Sequence, residues 1–174
     1  MSFGWAIISA GDYADSRGAP GINQAEGAEL VAVQSRDQGR ADAFAEKHGA
    51  KTAYTSVEDV LSDPRIDAVY ITSPNHLHTQ QTTMAANAGK HVLVEKPLSL
   101  NLADGVETLQ LCQDKGVKVG VGLHLRHHPG HIETQRLIAN GILGTIALAQ
   151  SQIGQGERGN VQPEPRAGLR DWWT

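Results

Sequence analysis

Cysteine is almost absent from the 174-residue sequence, which contains only Cys112. A single cysteine excludes a disulfide within the chain and is typical of proteins from reducing compartments. No apolar stretch of the sequence approaches the roughly 20 residues that a membrane-spanning helix needs. The opening residues lack the basic segment and long apolar stretch of a secretion signal. These absences predict a soluble, cytoplasmic protein.

An excess of one charge is also lacking, because 15 Lys and Arg residues stand against 19 Asp and Glu residues. The net charge of -4 provides no electrostatic reason to expect a nucleic acid or an anionic membrane as partner. Histidines cluster at one place, where His124, His127, His128 and His131 lie within eight residues. Imidazole can bind zinc or copper, but no cysteine lies near these side chains. We interpret them as solvated or hydrogen-bonded histidines and predict no metal site.

Short apolar runs bounded by turn residues alternate with segments of helical periodicity. The runs typical of buried parallel strands are Gly4–Ser9, Glu29–Gln34, Ala68–Thr72, His91–Val94 and Val117–Gly122. The segments that predict helices between them are Gln38–His48, Val57–Leu61, His76–Ala88 and Leu102–Lys115. Strands that alternate with helices imply right-handed crossovers. The sequence therefore predicts an α/β fold with a Rossmann-type doubly wound parallel sheet over residues 1–122.

Residues 123–174 predict the beginning of a second, α+β domain. A helix is predicted over Gly130–Ala139, a strand over Thr145–Ile153, and a Gly- and Pro-rich loop over Gly154–Arg166. One strand cannot form a sheet, and an unpaired apolar strand invites aggregation. We therefore expect an incomplete C-terminal domain, so that either the chain is a fragment or a partner completes its sheet.

The first predicted strand runs into a turn that has the pattern of a phosphate-binding loop. Residues Ser9 to Ala14 fit G-x-G-x-x-G/A, with serine in place of the first glycine. Gly11 stands where the backbone must approach a pyrophosphate, Asp12 and Tyr13 follow it, and Ala14 is small enough for helix–strand packing. The N-terminus of the next helix would then present its N–H groups to the phosphates. By itself the motif is equally compatible with an ordinary strand–turn–helix.

The residues after the second predicted strand bear on the choice of dinucleotide. Ser35 and Arg36 lie about 20 residues beyond the turn, where such domains read the adenosine ribose. A carboxylate here would accept hydrogen bonds from the ribose and repel a 2′-phosphate, but the first carboxylate is Asp37. A guanidinium can pair with a phosphate and stack on adenine, although most loop arginines are only solvated. We predict NADP(H) rather than NAD(H), with NAD(H) as the alternative.

Two further motifs make the sequence similar to a known family. A Pro-Asn-x-x-His motif formed by Pro74, Asn75 and His78 is followed, about 20 residues later, by Glu-Lys-Pro at residues 95–97. Together with the opening turn and the segment around Arg126, these motifs resemble the Gfo/Idh/MocA family, and the resemblance extends along the whole chain. It implies an N-terminal Rossmann domain, a C-terminal α/β domain on an open sheet, and oxidation or reduction of sugars, polyols or their carbonyl forms with NAD or NADP.

The resemblance also implies roles for individual residues. Lys96 matches the family's catalytic lysine beside the nicotinamide, where an amine could hold or pass the proton of the reacting hydroxyl. Outside that context Lys96 would be interpreted as a surface lysine. The Lys96–Pro97 bond is expected to be cis. The turn residues, Ser35 and Arg36 are predicted to bind the cofactor. The resemblance adds further cofactor-binding residues, which are Thr72, Ser73, Pro74, Asn75, His78, Glu95, Lys96, Pro97 and Arg126.

The sequence departs from the family's pattern at two places. His124 stands where the family often has tyrosine, and a substrate-site histidine of the family's second domain has no counterpart before Thr174. We therefore expect the cofactor-binding part of an NADP(H)-dependent oxidoreductase for a sugar, polyol or related carbonyl substrate, without turnover by this chain alone. A catalytically silent nucleotide-binding module, acting as a sensor or assembly partner, is the alternative, and retention of Lys96 favours the enzyme. A completed C-terminal sheet would allow homo-oligomers.

Overall fold

A computed structural model describes residues 2–152. The chain forms two compact units, of which the first ends at His127 and the second begins at His128. In the described part of the first unit, the strands are β1 (Phe3–Ile8), β2 (Ala28–Gln34), β3 (Thr52–Tyr54), β4 (Ala68–Ile71), β5 (His91–Val94) and β6 (Val119–Val121). All of them pair in parallel in the order β3-β2-β1-β4-β5-β6. The predicted doubly wound parallel sheet is confirmed.

Helices connect the strands, and short polar side chains set where several of them begin. The helices of the first unit are α1 (Ala19–Gln24), α2 (Gln38–His48), α3 (Val57–Ser62), α4 (His78–Asn87) and α5 (Leu102–Asp114). Asp37, Ser56 and Asn101 each accept a hydrogen bond from the backbone N–H three residues later. Each bond satisfies an N–H of the first turn that has no partner within the helix. Gly49 ends α2 in the left-handed conformation that glycine adopts without strain.

The core lies on both faces of the sheet, because alternate residues of each strand point to opposite sides. One face packs Ala6, Ile8, Val69, Ile71 and Val94 against Val60 and Leu61 of α3 and Ala85 of α4. The other face packs Ile7, Leu30, Val33 and Tyr70 against Ala19 and Ile22 of α1 and Phe44 of α2. Burial of each large apolar side chain contributes about 1.5–3 kcal/mol. This two-sided packing holds the ends of the strands, and hence the loops that follow them, in fixed positions.

Three local features differ from the prediction. The strand β3 was not predicted, because its three residues are too short for a periodic signal and its position at the sheet edge is a tertiary property. The helix predicted over His76–Ala88 is a 3₁₀ turn, Asn75–Leu77, followed by α4. The turn after β1 leads into one continuous helical segment, in which a π-helical turn, Ala14–Gly18, directly precedes α1. Pro20, the second residue of α1, has no N–H to donate to the preceding turn, and it lies just after this wider turn.

In the second unit, α6 (Pro129–Ala139) confirms the helix predicted over Gly130–Ala139. Residues 145–152 form no strand, so the strand predicted over Thr145–Ile153 is wrong in its described part. A strand exists only through pairing with another, and none pairs with this segment among residues 2–152. Ile153, the loop predicted over Gly154–Arg166 and the residues after it lie outside the described residues. Within residues 2–152, no helix is both long and apolar enough to cross a membrane.

Candidate cofactor-binding site

The carboxyl ends of the strands form one edge of the sheet, and most of the predicted site residues lie on the loops that leave it. β1 and β4 are neighbours, but β1 leads toward β2 on one side and β4 leads toward β5 on the other. Such a switch point opens the crevice in which doubly wound sheets bind ligands. The two sides are tied together by Thr72, whose hydroxyl donates to the carbonyl of Ser9 at 2.9 Å. The predicted residues after β1 and β4 are therefore adjacent.

The turn after β1 has a left-handed residue at the position of the first motif glycine. Ser9 has φ of 73°, which is the region that glycine normally supplies. Gln34, at the end of β2, holds the turn, since its side-chain oxygen accepts from the Ser9 N–H at 3.1 Å and its carbonyl from the Ala10 N–H at 2.8 Å. Gly11 is exposed, and a Cβ placed there would have its nearest neighbour 3.9 Å away. The turn therefore leaves open space above Gly11, as a bound pyrophosphate requires.

Asp12 and Tyr13 form the first helical residues after the turn, and Ala14 begins the π-helical turn. Ala14 is fully buried, which fits its predicted packing role, whereas Asp12 is exposed. The side chain of Tyr13 lines a cleft of about 540 Å³ together with Tyr70 and Leu93, on a face of the sheet. Partial burial and the nearby carboxylate of Glu95 both raise the pKa of Tyr13. Because that ring lies in the cleft, the predicted role of Tyr13 in cofactor binding is left to its backbone and stays a prediction.

The end of β2 presents a cation and no free carboxylate to the edge. Ser35 is buried and donates its N–H to the carbonyl of Tyr54. Arg36 is exposed, and within residues 2–152 its guanidinium makes no ion pair. The next residue, Asp37, is engaged as the N-cap of α2, accepting from the Arg40 N–H at 2.8 Å. The arrangement thus offers a guanidinium where a ribose-reading carboxylate would otherwise stand.

The loop after β4 places its predicted residues at different depths. Pro74 is exposed and Asn75 half-buried, at the start of the 3₁₀ turn. Ser73 is buried, and its hydroxyl donates to the side-chain oxygen of Gln81 at 2.6 Å. His78 is fully buried, so its side chain contacts protein and not the open edge. Pro74 and Asn75 are the residues of this loop that remain accessible to a ligand.

The loop after β5 separates a buried carboxylate from an exposed amine. Glu95 is buried, and its Oε1 accepts a 2.6 Å hydrogen bond from the Tyr70 hydroxyl. Burial, and then the Glu95 carboxylate, raise the pKa of Tyr70 well above its ordinary value. Lys96 is exposed at the edge, and the bond to Pro97 is cis, as the family resemblance implies. The loop therefore buries the carboxylate of Glu95 and leaves the amine of Lys96 exposed at the edge of the sheet.

Three residues that support this site were not predicted from the sequence. Gln34 shapes the turn after β1, Tyr70 binds Glu95, and Gly122 provides room for the Glu95 carboxylate. A tyrosine within a buried strand predicts that its hydroxyl has a partner, but it does not identify that partner.

Arg126 is exposed in the 3₁₀ turn His124–His127, after β6. Between residues 2 and 152, no group of three or more His, Cys, Asp or Glu side chains could hold a metal ion.

Comparison with known proteins identifies relatives of the chain. A profile described as an oxidoreductase family with an NAD-binding Rossmann fold matches residues 3–123. A 1,5-anhydro-D-fructose reductase of Ensifer adhaerens is 39% identical over 146 residues, which are 84% of this chain and 44% of that protein. A D-xylose 1-dehydrogenase (NADP(+)) of Haloferax volcanii is 37% identical over 128 residues, which are 74% of this chain and 39% of that protein.

Solved structures of oxidoreductases are also similar to this chain. A 3-ketoreductase from Actinomadura kijaniata in complex with NADP has a TM-score of 0.76 at 28% identity, over 83% of this chain and 46% of its own. A scyllo-inositol dehydrogenase from Lactobacillus casei, with NAD(H) and scyllo-inositol bound, has a TM-score of 0.77 at 27% identity, over 83% of this chain and 43% of its own. The chain spans less than half the length of each of these four proteins.

Proposed function

The chain belongs to the Gfo/Idh/MocA oxidoreductase family, and from this membership we propose that it is the cofactor-binding part of an NADP(H)-dependent oxidoreductase. The substrate class that we propose is a sugar, a polyol or a related carbonyl compound. The names of the relatives support this class, because they describe enzymes that reduce or oxidise anhydrofructose, xylose, keto and inositol compounds. Because the matched part of this chain covers less than half the length of each of those relatives, the activity of the whole protein is part of the proposal.

The preference for NADP(H) rests on one observation: Arg36 is exposed, and the neighbouring Asp37 caps a helix. A guanidinium can form two parallel hydrogen bonds to a phosphate. The carboxylate that could repel that phosphate instead accepts from the N–H of Arg40, at the positive end of the helix dipole. The Arg36 guanidinium would then be the charged group available to the adenosine side, and this would favour the 2′-phosphate of NADP(H).

We propose the following placement of a dinucleotide along this edge of the sheet. The open backbone at Gly11 would hold the pyrophosphate, Arg36 the adenosine side, and Pro74 and Asn75 the nicotinamide side. Such a cofactor supplies the hydride, while the protein supplies position and charge. Lys96 would bind the substrate oxygen and hold the proton that an alcohol loses on oxidation. The relation of Arg126 to the cofactor stays a prediction, as does assembly into homo-oligomers.

The test is a titration of the 174-residue chain with NADPH and with NADH, followed by nicotinamide fluorescence. We expect tighter binding of NADPH, and Arg36→Asp should weaken it at least about tenfold, since a charged hydrogen bond contributes about 1.5–3 kcal/mol. NADH binding should change much less. Lys118→Asp reverses a charge at the exposed amino end of β6 and serves as the control. Circular dichroism establishes that each variant is folded.

The outcomes of the titration test the role of Arg36 and distinguish an oxidoreductase from a nucleotide-binding module. Equal weakening of NADPH and NADH by Arg36→Asp would contradict the phosphate-reading role of this arginine. A folded chain that binds neither cofactor would contradict the oxidoreductase assignment for this polypeptide. If NADPH binds, assays with sugars and polyols follow, and the Lys96→Ala variant shows whether the amine is needed. Binding without turnover in every such assay would favour the alternative, a nucleotide-binding module.

A further inference from the structure

His78 connects the two loops that carry the proposed nicotinamide-side residues. Its imidazole is fully buried at the start of α4. Nδ1 lies 2.6 Å from the carbonyl oxygen of Pro97, and Nε2 lies 2.8 Å from the carbonyl oxygen of Ser73. Both distances are those of hydrogen bonds. One side chain thus reaches a backbone acceptor on the loop after β4 and another on the loop after β5.

The chemistry of imidazole makes this bridge specific. A neutral ring has one N–H and donates to one carbonyl, whereas a ring with a proton on each nitrogen donates to both. Few other side chains present polar atoms at opposite ends of a rigid plane. Backbone carbonyls buried in a loop need a donor, because strand pairing ends before them. His78 has a ring nitrogen within hydrogen-bond distance of one carbonyl on each loop, and it donates to both loops when both nitrogens carry a proton.

The two carbonyls are adjacent to the accessible residues of the site. Pro97 follows Lys96 directly, and Ser73 precedes Pro74 and Asn75. Movement of either carbonyl would therefore move the amine of Lys96 relative to the surface formed by Pro74 and Asn75. Displacement of a positioned group by about 1 Å can reduce catalysis by about two orders of magnitude.

We propose that His78 is a positioning residue, which fixes the distance between the Lys96 loop and the Pro74–Asn75 loop without touching the cofactor. This inference rests on the proposed function, since it assigns a task to the same edge of the sheet. It replaces the direct cofactor contact that the family resemblance implies for His78 by an action through two backbone carbonyls. A histidine that only filled the core would stabilise the fold but would not couple the two loops.

The experiment compares three variants of the 174-residue chain. His78→Phe keeps a ring of similar size and removes both ring nitrogens, and His78→Gln keeps a donor. His76→Gln changes an exposed histidine two residues away and is the control. Amide hydrogen exchange by NMR reports on the two loops through the Leu77 N–H, which donates to Pro74, and the Lys96 N–H, which donates to Glu95.

If His78 positions the loops, His78→Phe speeds exchange at Leu77 and Lys96 at least about tenfold more than at the strand amides of β2. NADPH binding by the folded variant weakens by about tenfold, because the Pro74–Asn75 loop is no longer held in place and must be ordered when the cofactor binds. His78→Gln should recover part of both effects, and His76→Gln should show neither. A purely structural role would raise exchange throughout the sheet by a common factor.

Two results would overturn the inference. One is uniform exchange in His78→Phe, and the other is unchanged NADPH affinity in a folded His78→Phe chain. Failure of the proposed function is distinguishable, because it would appear as absent NADPH binding in the wild-type chain. In that case the exchange measurement still decides whether His78 couples the loops. Thermal unfolding of each variant excludes simple loss of the folded state as the cause of weaker binding.

Discussion

Gly122 lies where β6 ends, against the buried carboxylate of Glu95. A Cβ added to Gly122 would stand 2.5 Å from Oε1 and 3.0 Å from Cδ of Glu95. Contacts this short force one group to move, and Glu95 is the flexible partner. Its Oε1 is also the acceptor of the 2.6 Å hydrogen bond from Tyr70. Gly122→Ala should therefore push the carboxylate away from that hydroxyl.

The magnitude follows from the bond that is lost. A hydrogen bond to a charged group contributes about 1.5–3 kcal/mol, and overpacking of a core costs a similar amount. We expect Gly122→Ala to lower the free energy of unfolding by about 2 kcal/mol and Tm by about 6 °C. Gly120→Ala is the matched control, because a Cβ there would have Leu93 Cδ1 at 3.4 Å as its nearest neighbour. Its cost should stay below about 0.5 kcal/mol.

The assay is denaturant unfolding followed by far-ultraviolet circular dichroism, on single and double variants. If Gly122→Ala destabilises the protein by breaking the Tyr70–Glu95 hydrogen bond, it has no such bond to break in a Tyr70→Phe variant. The two substitutions together should then cost at least about 1 kcal/mol less than the sum of their separate effects. Strict additivity, or equal stability of Gly122→Ala and Gly120→Ala, would refute the reasoning.

Two further predictions concern an ion pair and the turn. Arg65 and Tyr54 donate to the buried Asp63 carboxylate, and Arg65 above all lowers its pKa from 3.8 to about 2. A lowered pKa stabilises the fold above pH 4 and ceases to do so as the pH falls toward 2. Asp63→Asn should therefore lose about 2 kcal/mol at pH 7 and little at pH 2, and an equal loss in urea unfolding at both values would contradict this. At the left-handed Ser9, Ser9→Val should cost about 2 kcal/mol in the same assay while Ser9→Gly is tolerated; equal stability of the two would argue against a strained turn.

The elements of the sheet could be predicted because their signals are local. The strands β1, β2, β4 and β5 are runs of apolar residues between turns, and α2 begins and ends at its capping residues. Parallel strands joined by helices then bring the residues after β1, β4 and β5 to one edge. The exposed positions of Gly11, Arg36 and Lys96 agree with this expectation. The short strand β3 lacks such a signal, since three residues do not show a period.

The sequence by itself determined the fold class, the family and the edge of the sheet at which the candidate site lies, because periodicity and motifs are properties of neighbouring residues. Tertiary structure decided how the site is supported. Tyr70 and Glu95 are 25 residues apart, and His78 and Pro97 are 19 apart. Which hydroxyl meets which carboxylate depends on strand register and on the side of the sheet that each residue faces, and packing of the whole first unit sets both.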